Sequence, residues 1–251
     1  MTSASMLRPV VLFDLDDTLM AHREAVEAGI VLHMRSRAYL GDEADAARLW
    51  HDLEEEHYLA YLHGHLTFEG QRQARAAAFA RRFGEELDGP GASRWFAEYF
   101  ERYRDSWALH DDVAPSLDAL QDALPGVRFG IITNGELEYQ AAKLARLALD
   151  GRVEHVVASG SVGVTKPDTA IFRAALDRFH ETAPVAAAAY VGDRLHTDAV
   201  GAANAGLVGI WVNRQGDPLS DDDAATAHAA GVLEIHGLAE LPRLLATHWA
   251  S

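Results

Sequence analysis

The sequence predicts an α/β fold, a doubly wound parallel sheet interrupted after its first strand by an all-helical segment. Three observations predict it. An apolar run, Val10-Val11-Leu12-Phe13, ends abruptly in the carboxylates Asp14, Asp16 and Asp17, which suits a strand buried on both faces and ending at a ligand crevice. Residues 21–108 carry helical patterning with almost no strand signal. Beyond Asp111 strand and helix patterns alternate, and such alternation implies right-handed βαβ units in a parallel sheet. The first strand belongs with this second texture, so the core is expected to comprise 1–20 and 109–251, and the helical domain 21–108.

Within the helical segment, helices are expected over 23–39, 44–62, 68–83 and 93–107. The breaks between them are Gly41-Asp42, Gly64 followed by Thr67 as an N-cap, and Gly89-Pro90-Gly91. Trp50, Leu53, His57, Tyr58 and Tyr61 recur at helical spacing, the mark of an apolar seam. In the second texture, 115–124 reads as helix, 127–133 as strand, 137–149 as helix and 155–158 as a short strand. A helix over 169–179, a strand over 187–192, a helix over 197–205 closed by Gly206 and a strand over 207–212 follow. Residues 216–230, acidic and Ala-rich, read as a surface loop or short helix; 232–235 and a helix near 238–245 close the chain, which has no internal repeat. The layout is that of a Rossmann-like core with a helical domain set into it.

Bulk composition narrows the function classes. Lys plus Arg number 22 against 38 Asp plus Glu, a net charge of −16, which argues against a nucleic acid polymer or an anionic membrane as the main partner. An anionic small molecule is still admissible, because a bound metal and one or two basic groups reverse the potential locally. There is no cysteine, so disulfides and thiolate sites are excluded, as suits a reducing compartment. The first nine residues lack the apolar stretch of a signal peptide, and no segment is long enough to span a bilayer. A cytoplasmic protein, monomeric or homodimeric, is expected.

Polar residues gather where the strands are expected to end. Asp14, Asp16 and Thr18 follow the first strand, Thr133-Asn134-Gly135 the second, and Gly192-Asp193, with Asp198 five residues on, the fourth. Gly163 to Asp168, with Lys166-Pro167 at its centre, opens a helix between the last two. Taken singly each has a plainer reading: Thr133-Asn134-Gly135 as a turn, Asp198 as a carboxylate favoured by a helix dipole. In a doubly wound sheet all four converge on one crevice. Together they resemble the haloacid dehalogenase superfamily of phosphohydrolases, in its helical-cap subclass. Asp14-Leu15-Asp16-Asp17-Thr18 matches the first motif, Thr133 the second, Lys166-Pro167 the third, and Gly192-Asp193 with Asp198 the fourth. The resemblance covers the core, and the helical segment falls where that subclass carries its cap.

The resemblance implies a Mg²⁺-dependent phosphatase acting on a small phosphorylated metabolite, of the nucleotide or sugar phosphate type. A phosphomonoester is anionic, so a carboxylate nucleophile needs charge neutralised before it approaches phosphorus, which a hard cation does. Asp14 and Asp193 are the expected carboxylate ligands, and the resemblance adds the backbone carbonyl of Asp16. Asp14 is the expected nucleophile, forming an aspartyl-phosphate. Asp16 is the expected acid for the leaving alcohol and base for the hydrolytic water. Thr133 and the Asn134 N–H are expected to hold a phosphoryl oxygen, and Lys166 to pair with Asp14 and the phosphoryl group. Thr18 and Asp198 are supporting residues, Asp198 orienting either the water shell of the metal or Lys166. Asp17 reads as a neighbour.

Composition favours Lys166 independently. The chain has two lysines, Lys143 and Lys166, against twenty arginines, and a site that needs a compact ammonium rather than a planar fork is one reason, beside chance, to keep a lysine at 166. His51, His57, His63 and His65 lack the i, i+4 spacing of two metal ligands on one helix face and read as solvated or packing residues. His22 and Arg23 are better placed to touch substrate, and Arg194 and His196 lie inside the fourth motif. Two rivals within the enzyme class are a 2-haloacid dehalogenase, which has no need of Asp16, and a sugar phosphomutase, which keeps it. A non-catalytic phosphate-ligand binding protein, which predicts a lost nucleophile, acid or lysine, is the rival from another class.

Overall fold

A computed structural model describes residues 8–250; the segment 1–7, read above for a targeting signal, lies outside it. The chain forms two compact units, one comprising its course up to Ala21 and from Leu109 onward, the other His22–Ala108.

The first unit is built on strands β1 (Arg8–Phe13), β2 (Arg128–Thr133), β3 (His155–Ala158), β4 (Val185–Gly192), β5 (Val208–Val212) and β6 (Leu233–Ile235). They form one six-stranded sheet in the order β3-β2-β1-β4-β5-β6, and every pairing is parallel. β1 lies inside the sheet between β2 and β4, and Val10 to Phe13 are fully buried. That explains why the strand reads as an unbroken apolar run rather than an alternating one. Each such side chain contributes about 1.5–3 kcal/mol on burial. Val10 and Leu12 share one face with Ile132, Tyr190 and Phe172, while Phe13 meets Phe129 edge-on. Within this unit no described helix is long and apolar enough to cross a membrane, and the same holds for the rest of the described chain.

The second unit consists of α1 (His22–Ser36), α2 (Glu43–Leu62), α3 (Phe68–Arg82) and α4 (Gly89–Asp105). Side-chain caps begin three of them: Asp42 accepts from Asp45 N, Thr67 from Gly70 N and Asp88 from Gly91 N. Gly89-Pro90-Gly91, expected to break the chain, instead forms the first turn of α4. A proline there loses no hydrogen bond, because the first N–H groups of a helix have no partner within it. Trp50 lies among Tyr99, Phe79 and Trp95, with ring centroids 4.6, 5.3 and 5.4 Å away. The expected seam of α2 is buried at Trp50 and Leu53 but only half-buried at His57, Tyr58 and Tyr61. α1 and α4 pack backbone to backbone at Gly29, where a Cβ would lie 2.8 Å from Tyr103 Cα.

The core carries α5 (Val113–Ala123), α6 (Leu137–Arg146), α7 (Ser159–Val162), α8 (Thr169–Thr182), α9 (Gly201–Asn204), α10 (Asp221–Ala230) and α11 (Leu241–Trp249). The helix expected over 197–205 begins earlier, as a π-helical turn over Leu195–Val200, and continues as α9. Wider turns of this kind recur at functional sites. The turn lies tight on the sheet: a Cβ on Gly209 of β5 would come 2.1 Å from the Ala199 carbonyl oxygen.

Candidate active site

β1 delivers Asp14 to the C-terminal edge of the sheet, where its N–H donates to the Val191 carbonyl of β4 at 2.8 Å. The chain then coils into a compact turn. Leu19 and Met20 N–H donate to the Leu15 carbonyl, and Asp17 N–H to the Met20 carbonyl. Asp17 sits at φ 59°, a left-handed conformation that aspartate tolerates better than most residues. Asp17 therefore shapes the turn that follows Asp16. Thr18, fully buried, has its hydroxyl 3.5 Å from Asp193 Oδ1 and its carbonyl 2.9 Å from Arg214 Nη2. Arg214 is in turn paired with Asp112 at 2.9 Å.

The buried Lys166 is the hub. Its Nζ donates to Asp14 Oδ1 at 2.5 Å, Asp198 Oδ1 at 2.7 Å and the Tyr190 hydroxyl at 2.8 Å. The Tyr190 hydroxyl in turn faces the Ile132 carbonyl at 3.0 Å and Asp198 Oδ1 at 3.2 Å. Asn134 braces the lysine backbone from both sides: its Oδ1 accepts from Lys166 N at 2.8 Å, and its Nδ2 donates to Lys166 O at 3.0 Å. Thr133 is buried at the end of β2, two residues beyond the Phe13–Ile131 pair. Asp198, in the π-helical turn, closes that turn by accepting from Arg194 N at 3.0 Å. Asp198 thus contacts Lys166 and also stands beside Asp14 and Asp193.

Two glycines make room for this arrangement. A Cβ on Gly192 would fall 2.4 Å from both Cβ and Cγ of Asp198, and one on Gly201 would fall 2.9 Å from Pro167 Cβ. The glycine preceding Asp193 is therefore a steric requirement of the Asp198 carboxylate.

Asp14, Asp193 and Asp198 each bring a carboxylate oxygen within 4.8 Å of the others. Burial pushes the Asp14 carboxyl up from 3.8 to about 7; Lys166 opposes the rise, while Asp198 and Asp16 add to it. Burial, Asp14, Asp198 and Asp17 likewise push Asp193 well above the usual carboxylate range. Burial works against the Lys166 ammonium, but Asp14 and Asp198 outweigh it and raise its proton affinity. When all three carboxylates are ionised, the single ammonium leaves two negative charges, which a divalent cation offsets. Hard oxygen donors in that excess fit Mg²⁺.

Asp16 has a cationic partner of its own. Both of its oxygens accept from Lys143 Nζ, at 2.6 and 2.8 Å. The sequence reading missed Lys143 and Tyr190, although the scarcity of lysine that singled out Lys166 applied equally to Lys143. His196 is exposed and paired with Asp223 at 2.6 Å. His22, within the helical unit, contacts Tyr103 Oη at 2.9 Å. Among the described residues, none of His51, His57, His63 and His65 belongs to a group able to hold a metal.

The model of the haloacid dehalogenase-like hydrolases matches residues 9–206. The chain is 30% identical over 214 residues, 80% of each chain, to a glyceraldehyde 3-phosphate phosphatase of Pyrococcus abyssi. It is 34% identical over 166 residues, 66% of this chain and 65% of the relative, to a phosphoserine phosphatase of Thermus thermophilus. Its fold resembles a magnesium-bound HAD-hydrolase from Bacillus subtilis, with a TM-score of 0.75 at 23% identity over 96% of this chain and 99% of that one.

Proposed function

The chain belongs to the haloacid dehalogenase-like hydrolases, and from that premise we propose that it is a Mg²⁺-dependent phosphatase of a small phosphomonoester. The observation that carries the reading is the buried Asp14–Lys166–Asp198 constellation with a second carboxylate, Asp16, two residues from Asp14. A dehalogenase needs the first part but has no task for Asp16, because halide leaves without a proton. Relatives named phosphatases of glyceraldehyde 3-phosphate, phosphoserine and ribulose-1,5-bisphosphate support a small phosphorylated metabolite.

A Mg²⁺ ion would be held by the carboxylates of Asp14 and Asp193 and the backbone carbonyl of Asp16, and when bound it offsets the charge of the phosphoryl oxygens. Thr133 Oγ and the Asn134 N–H hold one phosphoryl oxygen. Asp14 attacks phosphorus in line; its oxygen–phosphorus bond forms as the bond to the alcohol oxygen breaks, giving an aspartyl-phosphate. Asp16 gives its proton to the departing oxygen, then takes one from the water that attacks the same phosphorus. That second displacement releases inorganic phosphate and restores both carboxyl groups. Lys166 stays charged throughout and offsets the charge on the transferring group. Asp198 and Tyr190 hold its Nζ in place.

Phosphate release from glyceraldehyde 3-phosphate, phosphoserine, nucleotides and sugar phosphates, with Mg²⁺ or EDTA, tests the reading. Wild-type activity should require the metal, and Asp14→Asn should abolish it. Activity that survives either change overturns the mechanism.

A further inference from the structure

Lys143 lies on α6, the helix that follows Thr133-Asn134-Gly135, and has no task in the chemistry above. It is 1% exposed. Burying an ammonium is costly unless it is paired and hydrogen-bonded, so its placement calls for a partner worth that burial. The partner is Asp16, whose two oxygens both accept from Nζ, at 2.6 and 2.8 Å. The Tyr139 ring, with its centroid 4.9 Å from Nζ, flanks the charge.

The distribution of lysine sharpens the point. The chain places arginine at twenty positions and lysine at two. Those two reach the two carboxylates of Asp14-Leu15-Asp16, one each: Lys166 takes Asp14 and Lys143 takes Asp16. An ammonium at the midpoint of a carboxylate holds both oxygens from a single point, and a guanidinium fork would need more room. Asp16 needs such a hold. Its side chain is 31% exposed, and it stands on a tight turn with solvent beside it.

We propose that Lys143 is a positioning residue for catalysis, fixing the plane and direction of the Asp16 carboxyl so that it faces the leaving oxygen and the hydrolytic water. The proposal rests on the phosphatase reading and on the acid–base role of Asp16. Misplacing a catalytic group by about 1 Å lowers rates on the order of 10²-fold. The loss falls where proton transfer is needed. An alkyl phosphate must have its leaving oxygen protonated; 4-nitrophenyl phosphate releases a stable phenolate and has little need of it. kcat/KM reports the steps up to formation of the aspartyl-phosphate, so it isolates this first transfer.

The test compares wild type with Lys143→Met on 4-nitrophenyl phosphate and on the alkyl phosphate of the panel that wild type cleaves fastest. For the alkyl ester kcat/KM should fall on the order of 10²-fold, and for the aryl ester by less than about three-fold. Lys143→Arg, which keeps the charge but brings a fork that needs more room, should recover only part of the loss. If Lys143→Met does not fold, Lys143→Gln on the same two esters gives the same contrast. In an Asp16→Asn background the added Lys143 substitution should have no further effect on the alkyl ester. Equal losses on both esters, no loss on either, or an undiminished further loss in the Asp16→Asn background overturns the proposal. Absence of wild-type phosphate release from every ester overturns the phosphatase reading instead, so the two failures are distinct.

Discussion

Gly192→Ala adds one methyl group at the end of β4 and should disable the site without replacing any polar group in it. The new Cβ would stand 2.4 Å from Asp198 Cβ and Cγ and 2.5 Å from Oδ2, about 1 Å inside ordinary contact. Gly192 is buried on a central strand, so the strand cannot yield and the Asp198 side chain must. Asp198 Oδ1 lies 2.7 Å from Lys166 Nζ, and Oδ2 lies 3.0 Å from Arg194 N; a shift of that size breaks or lengthens both. Overpacking of this kind destabilises by about 1–3 kcal/mol, and loss of a hydrogen bond to a charged group adds about 1.5–3 kcal/mol. Misdirection of Lys166 should lower kcat/KM on the order of 10²-fold. Urea unfolding followed by circular dichroism, together with phosphate release, measures both. A variant within about 0.5 kcal/mol and two-fold of wild type refutes the claim that Gly192 is there to admit Asp198.

Two further outcomes follow from the electrostatics. Mg²⁺ at a hundredfold over its dissociation constant should stabilise the protein by about 2.7 kcal/mol, seen as a rise in melting temperature. Asp193→Asn should abolish that rise, and an undiminished shift in the variant counts against Asp193 as a ligand. In the helical unit, burial pushes the proton affinity of His33 down to about 3, with Arg102 and Arg37 adding to the effect; its ring lies edge-on to Trp95 at 4.2 Å. The unfolded chain takes up this proton near pH 6.5, but the folded chain does so only near pH 3. Its contribution to stability is therefore complete above about 6.5 and is lost as pH falls, at up to about 1.4 kcal/mol per pH unit. Between pH 7 and pH 5 wild type should lose about 2 kcal/mol more than His33→Gln, and equal losses for the two would show that His33 does not titrate on unfolding.

The parts of this molecule legible in its sequence are those where burial and topology act through composition. Val10 to Phe13 read as a strand because both faces are covered, and Asp14, Thr133 and Asp193 read as a site because parallel strands all end on one edge. What escaped is what depends on where a side chain points. Tyr190 reads as one more apolar residue of a buried strand, yet its hydroxyl reaches Lys166. Asn134 reads as a turn residue or a phosphate contact, yet its amide braces the lysine backbone. Lys143 sits mid-helix with no local pattern around it, and only the count of lysines marks it. That count carries information because arginine serves at twenty other basic positions and at neither of these two. A residue type nearly absent from a chain is kept where its neighbour cannot replace it, and here both exceptions end on the same tripeptide. The carboxylates of Asp14 and Asp16, which repel as a bare sequence, are compatible in one turn because each is given its own point charge from a different helix-bearing segment.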